Sequence, residues 1–304
     1  MWSAGGGFPS VLRFLLLLFL SINAEPAHLK RPFNNSIPAV LVFGDSTVDP
    51  GNNNYVKTPF KSNFPPYGRD FVNGVPTGRF SDGRLVTDFM GNNVCGDQRV
   101  RATLSGPKPN PLRTSSPEFP LLRRGVISVQ RQLEYFKEYK AKLEAGIGKE
   151  RTKTLISKAA FLVSAGTNDI VLNYFATPFR RQTYDIAGYQ EFLLQHVKQF
   201  IQGLREEGAK LIGLVGLPPI GCLPIVITVT SGEAVGGRPC NDGLSSIALD
   251  YNRKLQILLE AMQNSSPGII YYADIYKPVN DIIQRPSRYG EFSSFTDHRV
   301  FRAD

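Results

Sequence analysis

Small polar residues stand at the ends of apolar runs in this chain, where a covalent catalyst would need them. Gly44-Asp45-Ser46-Thr47 follows the run 39–43. A serine just past a strand, behind a glycine that permits a tight turn, can expose its Oγ as a nucleophile. At a helix N-terminus the neighbouring backbone N–H groups would also stabilise an oxyanion. The competing reading is a Ser or Asp that caps the next helix. A second run ends in Gly166-Thr167-Asn168-Asp169. There the Asn168 amide either donates to the same oxyanion or closes an Asx turn or helix cap. A third end, residues 216–222, is rich in Gly and Pro and poor in polar atoms, and reads as a rigid wall of the same crevice. The serine context is not the G-x-S-x-G elbow of other hydrolases.

These ends need a scaffold. Four apolar runs, 39–43, 159–163, 211–215 and 269–272, are apolar on both alternating faces and bounded by Gly, Pro, Ser or Asp, as buried parallel strands are. Between them, 126–143, 189–204 and 247–262 repeat apolar residues at steps of three and four and read as helices. Strand and helix alternating at this spacing predict an α/β fold, a doubly wound parallel sheet covered on both faces. Such sheets bind ligands beyond the carboxyl ends of their strands, where these three ends fall. Residues 50–84 read as long ordered loops, and 91–125 as an irregular basic, Pro-rich loop.

Of the 304 residues, 42% are hydrophobic and 20% charged, with a formal charge of +9. Four of those nine charges lie in 91–125, which also holds five of the 22 prolines. Basicity confined to one segment, without an RNA- or DNA-reading motif, excludes nucleic acid as the expected partner. Residues 1–24 read as a secretory signal peptide: a basic Arg13, the apolar run 14–20, then small residues. That run is far short of the ~20 residues of a membrane span, so no stable membrane anchor is expected. Residues 25–304 then form a single domain. Secretion fits two N-glycosylation sequons, at Asn34 and Asn264, and it permits disulfides. Cys222 and Cys240 bracket a Gly-rich loop and are the preferred pair, which leaves Cys95 over.

The motifs form an ordered set: Phe43-Gly44-Asp45-Ser46 with Asp49 and Gly51-Asn52-Asn53-Asn54, then Asn63-Phe64-Pro65-Pro66-Tyr67-Gly68 and 76–84 (PTGRFSDGR). Residues 164–169 (SAGTND), 216–222 (GLPPIGC) and 272–276 (YADIY) complete it. In this order the chain resembles the plant GDSL esterases/lipases, members of the SGNH hydrolase family, over roughly 39–90 and 126–290. The resemblance implies a flavodoxin-like sheet of order 2-1-3-4-5 and a serine hydrolase of ester bonds that uses no cofactor or metal. It assigns Ser46 as nucleophile. The Ser46 N–H, the Gly83 N–H and the Asn168 side chain become the oxyanion donors, with Gly78 in the same block as the other glycine to weigh for Gly83. Asp45 and Asp49 are expected to shape the loop around Ser46.

Two stretches depart from the pattern. After Met90 the family's second strand gives way to the basic segment, so the sheet is expected to lack an edge strand. The family's Asp, two intervening residues and His, with the last helix, have no match. The chain ends instead with the adjacent pair Asp297-His298. Both departures begin abruptly and read as altered splicing or an incorrect gene model. Neither His28, at the mature N-terminus, nor His196, on the apolar side of a helix and expected to pack in the core, is expected to be the base. The leading expectation is therefore a secreted ester hydrolase acting on small lipid or acyl-carbohydrate esters. A second is a catalytically impaired fold of the same kind that binds an acyl or glycan ligand. A third, resting on charge alone, is a basic surface-binding protein. Oligomeric state has no sequence signal.

Overall fold

The computed structural model of the chain describes residues 37–94, 101–103, 125–230, 239–265 and 267–289. The expectations for the signal segment, Asn34, Cys95, His28, Asp297, His298, most of the basic loop and the missing last helix lie outside these residues. The four apolar runs form strands: β1 (Val40–Gly44), β3 (Ala160–Ser164), β4 (Leu211–Val215) and β5 (Ile269–Ala273). They pair in parallel in the order β2-β1-β3-β4-β5, the flavodoxin-like arrangement. Where an edge strand was expected to be lacking, a three-residue strand, β2 (Arg101–Thr103), lies beside β1. Its described residues pair as far as Thr103 opposite Val42, and β1 pairs with β3 as far as Gly44 opposite Ser164. An edge strand is thus present among the described residues.

The helices follow the predicted periodicity, with ends that differ from the predicted bounds. After α1 (Val86–Val94) come α2 (Val129–Ile147) and α3 (Lys149–Lys158). A π-helical segment, Asp169–Phe175, leads into α4 (Pro178–Thr183) and α5 (Ile186–Glu206). Then follow α6 (Pro224–Thr230), α7 (Asp242–Asn264) and α8 (Tyr276–Gln284). Side-chain oxygens cap the three long helices: Ser128 accepts from the Arg131 amide, Asp185 from Gly188 and Asn241 from Leu244. None of the described helices is long and apolar enough to cross a membrane.

The long helices pack side by side, α2 on α5 and α5 on α7. At Gly203 on α5 a β-carbon would come within 2.4 Å of Leu133, so the missing side chain lets α2 approach closely. Beneath them, Phe43 of β1 meets Phe136 edge-on at 6.0 Å, Phe161 stacked at 6.2 Å and Phe200 edge-on at 5.4 Å. This aromatic knot fixes β1 and β3 against α2 and α5, close to the strand ends where the polar residues begin.

Residues 50–84 are loops, as expected, broken only by short 3-10 turns at Asn52–Tyr55 and Val72–Gly74. Cys222 and Cys240 form a disulfide with Cα atoms 4.4 Å apart. Asn264, the second sequon position, is exposed at the end of α7.

Candidate active site

Gly44 ends β1 in a conformation, φ +151°, where a β-carbon would fall 2.0 Å from the Ser164 carbonyl oxygen. Only glycine fits, and the chain turns there into Asp45-Ser46-Thr47. The Asp45 amide donates to the Ser164 carbonyl (3.0 Å), and Val48 N–H returns to the Asp45 carbonyl (3.2 Å). Asp45 Oδ1 accepts from both the amide (3.1 Å) and the hydroxyl (2.9 Å) of Thr47. Burial raises the Asp45 carboxyl above the ordinary carboxylate range, and the Thr47 bonds pull against it. Asp49 accepts from the amides of Gly51 (2.9 Å) and Asn52 (2.6 Å). Both aspartates therefore tie down backbone around Ser46, in line with the loop-shaping role expected of them. Ser46 itself begins no helix: residues 46–48 are a turn, and the next helical residues are Asn52–Tyr55. The expected helix N-terminus behind the serine is corrected to a turn, closed by the Val48 N–H on the Asp45 carbonyl.

Ser46 and Asn168 open onto one cavity of about 1030 Å³. Its polar wall includes Asp45, Asp49, Asn168, Asp169, Asn173 and Arg180, and its apolar wall Val42, Val163, Leu214, Phe200 and Leu255. Asn168 precedes the π-helical segment but makes no side-chain cap bond, so its amide is not spent on the helix end. Among the described residues neither the amide nor the hydroxyl of Ser46 is hydrogen-bonded.

Gly83 stands elsewhere. It is not among the residues lining the cavity, and its N–H donates to Ser81 Oγ at 3.1 Å. Gly78, in the same block, packs against the Asn54 side chain, which in turn donates to the Thr77 carbonyl at 3.0 Å.

Residues 216–222 are rigid but do not form a wall of this cavity, which corrects the second half of that expectation. The buried Asn252 of α7 holds Leu217 at both its N–H (2.7 Å) and its carbonyl (2.9 Å). Gly221 N–H donates to Ser245 Oγ (3.2 Å). These bonds turn the segment toward α7 instead. His196 is likewise not packed wholly in the core. It is half-buried on α5, edge-on to Phe192 at 4.5 Å, and lines the cavity. The apolar stripe of α5 faces the core at Leu194 and Ile201 and the cavity at Leu193 and Phe200, and periodicity does not separate the two.

The cavity is electrostatically tight. Burial raises the Asp169 carboxyl; the Asn173 amide, donating to it at 3.1 Å, and the cation of Arg180 oppose this, while the charge of Asp45 adds to it. Burial and then the charge of Asp169 raise the phenols of Tyr189 and Tyr251. Arg180 stacks over Phe192 at 5.2 Å. Among the described residues no three of His, Cys, Asp or Glu cluster as a metal site.

Sequence reasoning passed over Gln132. From α2 its side-chain oxygen accepts from the Gly44 amide and its nitrogen donates to the Gly44 carbonyl, each at 2.8 Å, and it lines the cavity too. One signal was present: Gln132 lies three and four residues from Val129 and Phe136, a polar residue on an apolar helix face.

A parallel sheet of this order, with Ser46 in the turn after β1 and Asn168 on the same cavity, places the chain in the flavodoxin-like α/β class. Residues 40–300 match the GDSL-like Lipase/Acylhydrolase family, and the chain belongs to it. It is 48% identical to one GDSL esterase/lipase of Arabidopsis thaliana over 279 residues, 88% of this chain and 74% of the relative. A second from the same plant is 40% identical, covering 94% of this chain and 82% of the relative. A third is 38% identical, at 92% and 81%. The family is one of hydrolases acting on ester bonds.

Proposed function

We propose that this chain is a secreted ester hydrolase that acts on lipid or acyl-carbohydrate esters through Ser46. The observation that carries this reading is the shared cavity, in which Ser46 and Asn168 meet an apolar wall made by the sheet and α5. The Ser46 oxygen attacks the ester carbonyl, and the charge on the carbonyl oxygen is met by the Ser46 amide and the Asn168 side chain. The alcohol leaves with the serine proton, and water releases the acyl group from Ser46 as the free acid. Gly83 joins as a third donor only by releasing Ser81 Oγ. The apolar wall suits an acyl chain, and the Asp, Asn and Arg groups suit a hydroxylated or polar alcohol portion. Secretion is supported by the leader pattern and by the Cys222–Cys240 disulfide.

A second reading is a binding protein of the same fold with little turnover. It is favoured by one observation: among the described residues no histidine is hydrogen-bonded to Ser46. Hydrolysis of a chromogenic short-chain ester by the purified full chain and by Ser46→Ala separates the two. Activity lost in Ser46→Ala supports the hydrolase, and equal background rates in both leave the binding reading.

A further inference from the structure

β1 has two neighbours, β3 and β2. On the β3 side pairing continues to Gly44 and one residue on, where the Asp45 amide donates to the Ser164 carbonyl. On the β2 side the described pairing reaches Val42 opposite Thr103. Alternate residues of a parallel strand direct both N–H and C=O to the same side. Gly44, two residues beyond Val42, therefore turns its peptide groups toward the side where the described part of β2 has ended. Gln132 meets them. Its carboxamide presents one acceptor and one donor in the order a strand residue would, and both bonds are 2.8 Å. A longer contact from its nitrogen to the Ile127 carbonyl, 3.5 Å, links it to the segment leading into α2.

We propose that Gln132 is a positioning residue for the nucleophile: it takes the place of a strand partner beside Gly44 and holds the Gly44 peptide, two residues before Ser46, in register. With Gln132 on one side and Ser164 on the other, the turn that carries Ser46 is clamped at consecutive residues. The absence of a side chain at Gly44 lets its backbone lie close against the Ser164 carbonyl, where a β-carbon would come within 2.0 Å. The aromatic knot of Phe43 and Phe136 holds β1 and α2 together one residue before Gly44 and one helical turn beyond Gln132. This inference rests on the reading of Ser46 as nucleophile.

The test uses the full chain with a fluorophosphonate, which forms an Oγ–P bond at an active serine and releases fluoride and the hydroxyl proton. Gln132→Met keeps the length and loses both bonds, and Gln132→Glu keeps only an acceptor. Phosphonylation of Ser46 is expected to slow about 10- to 100-fold in Gln132→Met, in the maximal rate rather than in the concentration for half-saturation. Gln132→Glu should fall between it and the wild type. Amide exchange in a peptide spanning 40–48 is expected to quicken in Gln132→Met, with α5 unchanged. Faster exchange with an unchanged phosphonylation rate would overturn the positioning role, as would wild-type behaviour in both. Failure of the wild type to label at Ser46 would instead overturn the nucleophile reading, and exchange alone would then decide whether Gln132 holds the turn.

Discussion

Arg79 grips Asp88 with two nitrogens, Nε to Oδ2 at 2.9 Å and Nη2 to Oδ1 at 2.8 Å. Both side chains are more than four-fifths buried. Asp88 Oδ2 also accepts from the Leu85 amide (2.8 Å), and Arg79 Nη1 donates to Thr77 Oγ1 (2.9 Å). One ion pair thus ties the start of α1 to the loop carrying Gly78 and Gly83. A bidentate pair with its remaining groups satisfied is the kind whose disruption is costly.

Arg79→Met is expected to destabilise the protein by about 3 kcal/mol at neutral pH, because it strands the Asp88 carboxylate. Burial works to raise that carboxyl, but the Arg79 bonds, the Leu85 amide and the nearby cations outweigh it and hold it below the ordinary range. A depressed carboxyl stabilises the fold fully above its unfolded value, about pH 4, and loses that contribution as pH falls through the folded one. The gap between wild type and Arg79→Met in urea unfolding should therefore narrow below about pH 4. A gap that stays constant down to pH 2 would refute the assignment.

Asn168→Ala should lower kcat on a chromogenic ester by about 10²–10³ with KM little changed, the cost of removing one oxyanion donor. Since Asn168 makes no cap bond, the thermal midpoint should stay near that of the wild type. A large loss of stability with kcat intact would return Asn168 to the structural role that the sequence left open.

Asn252→Leu removes both partners of the Leu217 peptide inside the protein. Two buried backbone groups left unpaired should cost about 3 kcal/mol in denaturant unfolding. The neighbouring disulfide spans a short loop and acts mainly on the unfolded chain, so it should not compensate. An unchanged midpoint would show that Leu217 finds other partners.

Much of the framework was legible in one dimension. Runs 39–43 and 159–163 became strands because residues buried on both faces leave no polar position in the run, while 211–215 and 269–272 keep an apolar run although they are less buried toward the β5 edge. The step of three and four placed α2, α5 and α7, since a helix must turn one apolar stripe inward. The short elements α4, α6 and α8 went unread, being under three turns and carrying no sustained period. Ser46 and Asn168 were legible as polar residues at strand ends, and Cys222 with Cys240 as a pair bracketing one Gly-rich loop.

The amino-acid sequence by itself determined which residues could do chemistry and which strands would carry them, because residue type and hydrophobic period are local properties. Only the tertiary structure decided which of those residues share a space. It set Ser46 and Asn168 on one cavity and turned the Gly83 amide to Ser81. It brought His196 to the cavity wall, and it carried Gln132 to Gly44 across 88 residues of chain. Such contacts depend on which side a peptide points and which helix packs there, and both follow from packing across the sheet rather than from any spacing along it.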